Sequence, residues 1–368
     1  MNVPFTIVLL IAGGISACSG KVSAFDQKLG AAESARQSGD FTGERAHFQD
    51  AMRVSRSDEE KAEALYRKAH SHLRTGDLNV GLATLLELAS TYKHTSRAPR
   101  AWLDRGRIFQ RIGSNRKAET SYQKLVTDYP RYGGAPEAAR QIVELRQARG
   151  ISPHTTYELL RKQNEECELD EALRYYQAVE LVAHDSARAA TAFETLAQMY
   201  PLPKGRYTDE ALLWASLLRR KMGQPDRALA LLDELKKQDK KAWSIGSYTR
   251  TTYLDAYILA GQILRDDLDS PEKARLEFER LLKRHQGNST DDAFFELILL
   301  DLREAKDTCQ TVHQLKQKSP DSKYLSCVAQ LCPSQFSSNP SKISEASRNR
   351  CQQWMAQGTG LRTRLRSK

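Results

Sequence analysis

Glycine recurs at a fixed interval in the first part of this 368-residue chain. Gly39, Gly76, Gly113 and Gly150 are each 37 residues apart. A constant interval of this length is typical of proteins built from helix-turn-helix units, none of which has enough apolar surface to fold alone. The spacing therefore predicts helical hairpins stacked on one another, with each glycine in the left-handed conformation that ends a first helix.

The fullest unit surrounds Gly113, and each of its positions has a steric reason. Trp102 and Phe109 lie two helical turns apart and would face the second helix of the hairpin. Gly106 lies between them and is small enough to let the two helices approach each other. An ordinary helical hairpin is the alternative to a repeat. The remaining positions of the unit are Ala118, Tyr122, Leu125 and Pro130.

These positions resemble the tetratricopeptide repeat (TPR). The resemblance implies an all-α fold, a right-handed TPR-type α-solenoid of helical hairpins whose first helices line a concave, partner-binding face. We expect the solenoid to span residues 18–320, with a degenerate copy at 135–165 and a helical cap after residue 290. Six clearer copies cover residues 32–51, 62–95, 102–130, 173–201, 212–235 and 252–285.

The chain begins with an uncharged apolar run over residues 3–17. A membrane-spanning helix needs roughly 20 apolar residues, so this run suits the apolar part of a secretory signal better. Its end, Ile15-Ser16-Ala17-Cys18, resembles the lipobox of bacterial lipoproteins, although the first four residues carry no lysine or arginine. The resemblance implies a lipoprotein signal peptide over residues 1–17 and lipid attachment at Cys18. The alternative is a buried N-terminal helix with an incidental cysteine.

The residue after the cysteine bears on location. Ser19, rather than aspartate, is by the same resemblance the signal for sorting to the outer membrane in enteric bacteria. The whole pattern resembles a TPR outer-membrane lipoprotein of a Gram-negative bacterium, facing the periplasm. It is similar to the barrel-assembly and Tol-Pal-associated TPR lipoproteins.

Four cysteines cluster in the last 60 residues, which fits an exported protein because disulfides persist in oxidising compartments. Four cysteines allow three pairings. We expect Cys309 to pair with Cys327, joining two antiparallel helices, and Cys332 to pair with Cys351, stapling the tail. A zinc site is the alternative, but no CxxC spacing or paired histidine accompanies these cysteines.

The net charge of +10 is concentrated in two stretches. Residues 97–150 and residues 301–368 each hold 12 Lys and Arg against 5 Asp and Glu. Such a balance indicates an acidic partner or an anionic cell-wall or lipid surface. Nucleic acid is not expected, since the chain combines an export signal with no groove-reading motif. Residues 321–368 are predicted to form a disulfide-containing cap and a basic tail, which is disordered from Gly358 if it has no partner.

Three arginines are candidates for a partner-binding groove. Arg100, Arg107 and Arg111 are spaced seven and four residues apart, so they lie on one side of a first helix. By the TPR resemblance they point into the concave face, where Tyr66 and His70 of the preceding unit add contacts. Guanidinium groups there would bind carboxylates of an extended peptide or a phosphate-bearing polymer.

No catalytic motif is found in the sequence. It lacks HExxH, a Gly-rich phosphate loop and GxSxG, and we predict no catalytic residue, cofactor or metal site. The expected function is a lipid-anchored periplasmic scaffold that binds envelope proteins in envelope assembly or in cell-wall and division coordination. The main alternative is a surface-exposed adhesion or motility-machinery lipoprotein. A third, the helical part of a cell-wall lytic enzyme, lacks room for a catalytic domain.

Overall fold

The structure is a computed structural model, and it describes residues 22–165, 167–202, 204–237, 251–285, 290–336 and 345–360. Over these residues the chain is helical and contains no strand. It divides into two compact units, Met1–Leu125 and Val126–Lys368. The predicted all-α architecture is therefore confirmed for the described part of the chain.

The first six helices form three hairpins. A first helix can pack on the second helix of its own hairpin and also on the first helix of the next hairpin. For example, α3 contacts both α4 and α5. Side chains that accept backbone N–H groups begin α1, α2 and α3: Ser23, Asp40 and Ser57. The helices are α1 Ala24–Gln37, α2 Phe41–Val54, α3 Asp58–Arg74, α4 Leu78–Thr91, α5 Arg97–Arg111 and α6 Asn115–Asp128.

The spaced glycines end first helices, as predicted. Gly39, Gly76, Gly113 and Gly150 follow α1, α3, α5 and the first helix of the next hairpin, with φ angles of 79°, 85°, 75° and 79°. Only glycine adopts this left-handed conformation without a steric cost. The 37-residue interval is therefore the distance along the chain between the ends of successive first helices, from α1 to the helix that Gly150 follows.

Among the described residues of the second unit, ten further helices form five hairpins. The segment predicted to be a degenerate copy forms a complete hairpin, α7 and α8, and the segment after residue 290 adds one more, α15 and α16. The bounds are α7 Ala135–Gln147, α8 Pro153–Gln163, α9 Glu168–Leu181, α10 Ser186–Met199, α11 Thr208–Lys221, α12 Pro225–Lys237, α13 Thr252–Asp266, α14 Pro271–Arg284, α15 Asp291–Arg303 and α16 Cys309–Lys318.

The two helices of a hairpin approach closely where a glycine meets an aromatic ring. A Cβ added to Gly106 would overlap the ring of Tyr122, and one added to Gly261 would overlap the ring of Phe278. Both rings are fully buried. The predicted role of Gly106 is confirmed. Gly261 has the same role in the hairpin of α13 and α14.

The C-terminal cap consists of a four-residue helix, α17 Leu325–Val328, a 3-10 turn, Pro333–Gln335, and α18 Glu345–Gln357. Aromatic rings join the cap to α15. Tyr324 stacks on Phe295 with ring centroids 4.3 Å apart, and Trp354 of α18 meets the Tyr324 ring edge-on at 4.9 Å. The Tyr324 hydroxyl donates to Asp292 at 2.6 Å. The cap therefore packs on the last hairpin as part of the second unit.

The predicted disulfide pairing is wrong. The bonds join Cys309 to Cys332 and Cys327 to Cys351. After α17 the chain turns back towards the start of α16, which places the carbonyl of Leu331 3.8 Å from the sulfur of Cys309. Cys327 is one turn earlier, beside α18. All four cysteines are thus used in disulfides, and no group of His, Cys, Asp and Glu suited to a metal ion occurs among the described residues.

Candidate functional site

Four of the five residues predicted for the partner groove come together on α3 and α5. The Tyr66 hydroxyl donates to Asp104 Oδ2 at 2.6 Å and accepts from Arg100 Nε at 2.9 Å. His70 Nε2 lies 3.2 Å from the same Asp104 oxygen, and Arg107 Nη1 lies 3.6 Å from Oδ1. We call these five residues the Asp104 cluster. We call the surface that α3 and α5 share, on which the cluster lies, the first-helix face.

The central residue of this cluster was not predicted. Asp104 is 9% exposed and receives Tyr66 and His70 from the preceding hairpin. His70 and Asp104 are 34 residues apart, as are Tyr66 and Arg100. This offset is three residues, about one helical turn, shorter than the 37-residue repeat, so it joins facing positions of neighbouring first helices. Comparing α3 with α5 at that offset would have indicated Asp104 as a partner of His70.

The electrostatics of the cluster favour a charged Asp104 and a neutral Tyr66. Burial works to raise the pKa of Asp104, but hydrogen bonds from His70 and Tyr66 outweigh it and hold the pKa below its ordinary 3.8. Burial, followed by the bond to Asp104, raises the pKa of Tyr66 to about 12. At neutral pH the phenol therefore remains a hydrogen-bond donor to the carboxylate.

A second acidic residue orders the neighbouring arginines. Glu63 of α3 accepts from Arg67 at 2.6 Å and from Arg97 of α5, whose guanidinium carbon lies 4.9 Å from the centre of the Tyr66 ring. Burial opposes ionisation of Glu63, yet the two arginines lower its pKa. Glu63 and Arg97 are also 34 residues apart. The first-helix face is thus held by acids that the sequence analysis did not single out.

Arg111 does not join the cluster. It is exposed at the last position of α5, and it makes no ion pair with any described residue. Arg100 and Arg107 are also exposed, although both contact the cluster. Arg100 and Arg107 are therefore exposed side chains held in place by Tyr66 and Asp104, an arrangement suited to binding carboxylate or other anionic groups.

The second unit has a cavity of about 530 Å³ beside α8, α9 and α10. Its polar lining is largely paired within the chain. Arg161 and Arg174 both bond to Asp170, at 3.1 and 2.6 Å, and the Tyr200 hydroxyl donates to the same carboxylate at 2.7 Å. We therefore assign it no ligand.

The lipid-attachment prediction concerns Cys18, which lies outside the described residues, as does the signal segment 1–17. Among the helices that the structure describes, none has the length and apolarity needed to cross a bilayer.

Comparison with known proteins identifies the repeat. Two segments, residues 100–132 and 210–242, match the tetratricopeptide repeat family. The first begins at Arg100 and includes most of α5 and all of α6; the second includes most of α11 and all of α12. These two segments therefore match the repeat that the sequence predicts. No curated protein matches the chain.

Several solved structures share the helical arrangement at low identity. A tetratricopeptide repeat protein from Parabacteroides merdae is 16% identical over 73% of this chain and 96% of its own, with a TM-score of 0.32. The C-terminal part of a TPR protein from Cytophaga hutchinsonii is 14% identical over 71% of this chain and 97% of its own, with a TM-score of 0.39. The apo quorum sensor NprR from B. thuringiensis is 13% identical over 90% of this chain and 96% of its own, with a TM-score of 0.40. These TM-scores are low. The fold is therefore assigned from the chain's own helices and the two matching segments.

Proposed function

We propose that this tetratricopeptide repeat protein is a lipid-anchored periplasmic scaffold that binds other envelope proteins, in envelope assembly or in cell-wall and division coordination. Tetratricopeptide repeats generally serve as protein-interaction scaffolds. The Asp104 cluster is the observation that carries the proposal, because it joins two successive first helices into one ordered polar surface.

The cluster supports binding of an extended, acidic protein segment. Arg100 and Arg107 are exposed, and their side chains are already oriented by Tyr66 and Asp104. Binding of a partner carboxylate costs less conformational entropy when the arginine side chain is already oriented than when it is free to rotate. The excess of positive charge over residues 97–150 would also accelerate encounter with an acidic partner.

Attachment to the membrane through Cys18 is part of the proposal, because Ile15-Ser16-Ala17-Cys18 resembles a lipobox. Three acyl chains on one cysteine exceed the two lipid signals that lasting attachment needs. The outer membrane is the proposed site because Ser19 follows the cysteine.

The proposal is tested by crosslinking and affinity capture of partners from cells that make the full chain. We expect the double variant Arg100→Glu and Arg107→Glu to recover the main envelope partner at least about tenfold less efficiently, since each reversal replaces an attraction with a repulsion. Arg116→Glu is the matched control, because Arg116 is an exposed arginine of the second helix in the same hairpin. Equal recovery by the double variant and the control would contradict the assignment of this face.

Protease added to intact cells tests the orientation. A periplasmic scaffold should be degraded only after the outer membrane is opened. Degradation in intact cells would instead support display on the cell surface.

A further inference from the structure

A short segment at the C-terminal end of the described chain lies in a built polar site. The Thr359 backbone N–H donates to Glu296 Oε1 at 2.6 Å, and the Thr359 hydroxyl donates to the same oxygen at 2.8 Å. The Gln262 side-chain amide donates to the Thr359 carbonyl at 2.8 Å. Thr359 is only 4% exposed. The tail is predicted to be disordered from Gly358 only if it has no partner, and that condition is not met at residues 358–360, because the fold supplies partners for their polar groups.

The residues that receive Thr359 form a buried charged site. Glu296 of α15 is completely buried, and Arg265 and Gln262 of α13 are 4% and 6% exposed. Glu296 accepts from Gln262 at 2.6 Å and pairs with Arg265 through its other oxygen. Burial works to lower the pKa of Arg265, but its bonds to Asp266 and Glu296 raise it overall. A charged pair buried this deeply needs every polar partner it can bind, and Thr359 supplies two of them.

The site also specifies the residue before the threonine. Gly358 has a φ of 79°, and a Cβ added to it would lie 2.6 Å from Glu296 Oε1 and 3.1 Å from an Arg265 nitrogen. Any other residue would combine an unfavourable backbone conformation with this overlap. Glu296 in turn accepts from both a backbone N–H and a hydroxyl. The site therefore selects glycine followed by threonine or serine.

This site lies at positions equivalent to those of the Asp104 cluster. Gln262 and Glu296 are 34 residues apart on the first helices α13 and α15, as His70 and Asp104 are on α3 and α5. Both sites place an acid on one first helix and its polar partners on the first helix before it. In the second unit, the chain's own backbone completes the arrangement.

We propose that Gln262, Arg265 and Glu296 form a second peptide-binding site, specific for a glycine-threonine or glycine-serine segment, and that residues 358–360 occupy it as a built-in competitor. The inference rests on the proposed function, in which first-helix faces bind protein segments. A partner segment with the same chemistry binds once the tail has left.

The cap makes the tail an effective competitor. Cys351 of α18 is bonded to Cys327, and Trp354 packs on Tyr324, so the segment is tethered a few residues from a fixed point. The Gly358 N–H also donates to the Trp354 carbonyl at 2.8 Å. A short tether gives the tail a high effective concentration at the site, which a free peptide must overcome.

Amide hydrogen exchange on the full chain tests whether the tail occupies the site. We expect the Thr359 amide to exchange at least about tenfold more slowly than an unstructured amide. The Gly358→Val variant, whose side chain cannot fit against Glu296, should lose this protection, while Gly360→Ala should keep it, because an added Cβ at residue 360 meets nothing within 4 Å. An unprotected Thr359 amide in the full chain would overturn the inference.

Peptide binding tests the competition. A labelled peptide with the sequence of residues 356–361, Ala-Gln-Gly-Thr-Gly-Leu, is titrated against the full chain and against a chain ending at Gln357. We expect the shortened chain to bind it at least about tenfold more tightly, and a peptide with valine for threonine to bind at least about tenfold more weakly. Equal binding by the two chains, or no binding by the shortened chain, would refute the proposal.

Further variants separate this site from the Asp104 cluster. Glu296→Gln in the shortened chain should abolish peptide binding, and its thermal unfolding, compared with that of the shortened chain, shows whether the fold is kept. Arg100→Glu with Arg107→Glu should leave peptide binding unchanged. If partner capture fails at the α3–α5 face, the peptide titrations at Glu296 still test this inference. If the peptide titrations fail, partner capture still tests the proposed function.

Discussion

At the scale of single residues, buried acids organise this protein. Glu44 occupies a position where the repeat pattern favours a small residue, yet it is 1% exposed. The Ser71 hydroxyl donates to it at 2.5 Å and Arg74 pairs with it, both from the next hairpin. A departure from the pattern is thus compensated by a partner in a neighbouring hairpin.

Replacing Asp104 with asparagine tests this at the Asp104 cluster. We expect Asp104→Asn to lower the free energy of unfolding by about 1–3 kcal/mol at pH 7, because Tyr66, His70 and Arg107 lose a charged acceptor. Chemical denaturation measures the change. Asp321→Asn, at an exposed loop position, is the control and should change stability little. An Asp104→Asn protein as stable as the wild type would contradict the central role of Asp104.

The pKa of Tyr66 gives a pH-dependent test of the same cluster. A pKa of about 12 in the folded protein, above the ordinary 10, means that the neutral phenol stabilises the fold below pH 10 and that this contribution is lost as pH rises from 10 towards 12. NMR titration of the tyrosine ring carbons measures it. In Asp104→Asn the pKa should fall but stay above 10, since burial is the larger cause. A Tyr66 that titrates at 10 in the wild type would contradict the buried hydrogen bond.

The sequence placed the members of the cluster but not its centre. Tyr66, His70, Arg100 and Arg107 follow from helix periodicity and the repeat, which assign a residue to a face. Asp104 lies on the same side of α5, but its role depends on contacts across hairpins, which periodicity within one helix does not contain. Arg111 satisfies the periodicity yet lies at the end of α5, outside the cluster.

At the scale of helices, the close approach within a hairpin depends on glycine. Gly106 and Gly261 each face an aromatic ring of the second helix with no room for a Cβ. Gly30 in α1 has no atom within 4 Å of an added Cβ. The same residue type therefore has opposite roles at these positions.

Alanine at each of two glycines separates packing from helix propensity. We expect Gly106→Ala to destabilise the protein by about 1–3 kcal/mol, because overlap with the Tyr122 ring outweighs the gain in propensity. Gly30→Ala should stabilise it by up to about 1 kcal/mol. Denaturant unfolding compares both variants with the wild type. A stabilising Gly106→Ala would show that the helices can separate at no cost.

The disulfides connect α16, α17 and α18, and their pairing is testable directly. Mass spectrometry of unreduced proteolytic peptides should recover Cys309 linked to Cys332 and Cys327 linked to Cys351. Replacing both Cys327 and Cys351 with serine should lower the free energy of unfolding by roughly 3 kcal/mol, since each bond closes a loop of more than 20 residues. Recovery of Cys309 linked to Cys327 would favour the pairing expected from sequence.

At the scale of the whole molecule, the proposed lipid on Cys18 would determine where the repeats act. Replacing Cys18 with alanine should move the protein from the membrane fraction into the soluble periplasmic fraction, because no acyl chain then remains. Immunoblotting of cell fractions measures the distribution. Ser19→Ala is a matched control that keeps the cysteine. Retention of Cys18→Ala in membranes would contradict lipid anchoring.

The sequence by itself determined that the described chain consists of helical hairpins and where the first helices α1, α3 and α5 end, because steric limits at Gly39, Gly76 and Gly113 act on local backbone. It also determined which side chains each helix turns inward, since that follows from helical period. Only the tertiary structure decided the disulfide partners, the central position of Asp104 and the docking of Thr359 on Glu296. These depend on distances between residues far apart in the chain, and such distances are fixed by the packing of one hairpin on the next.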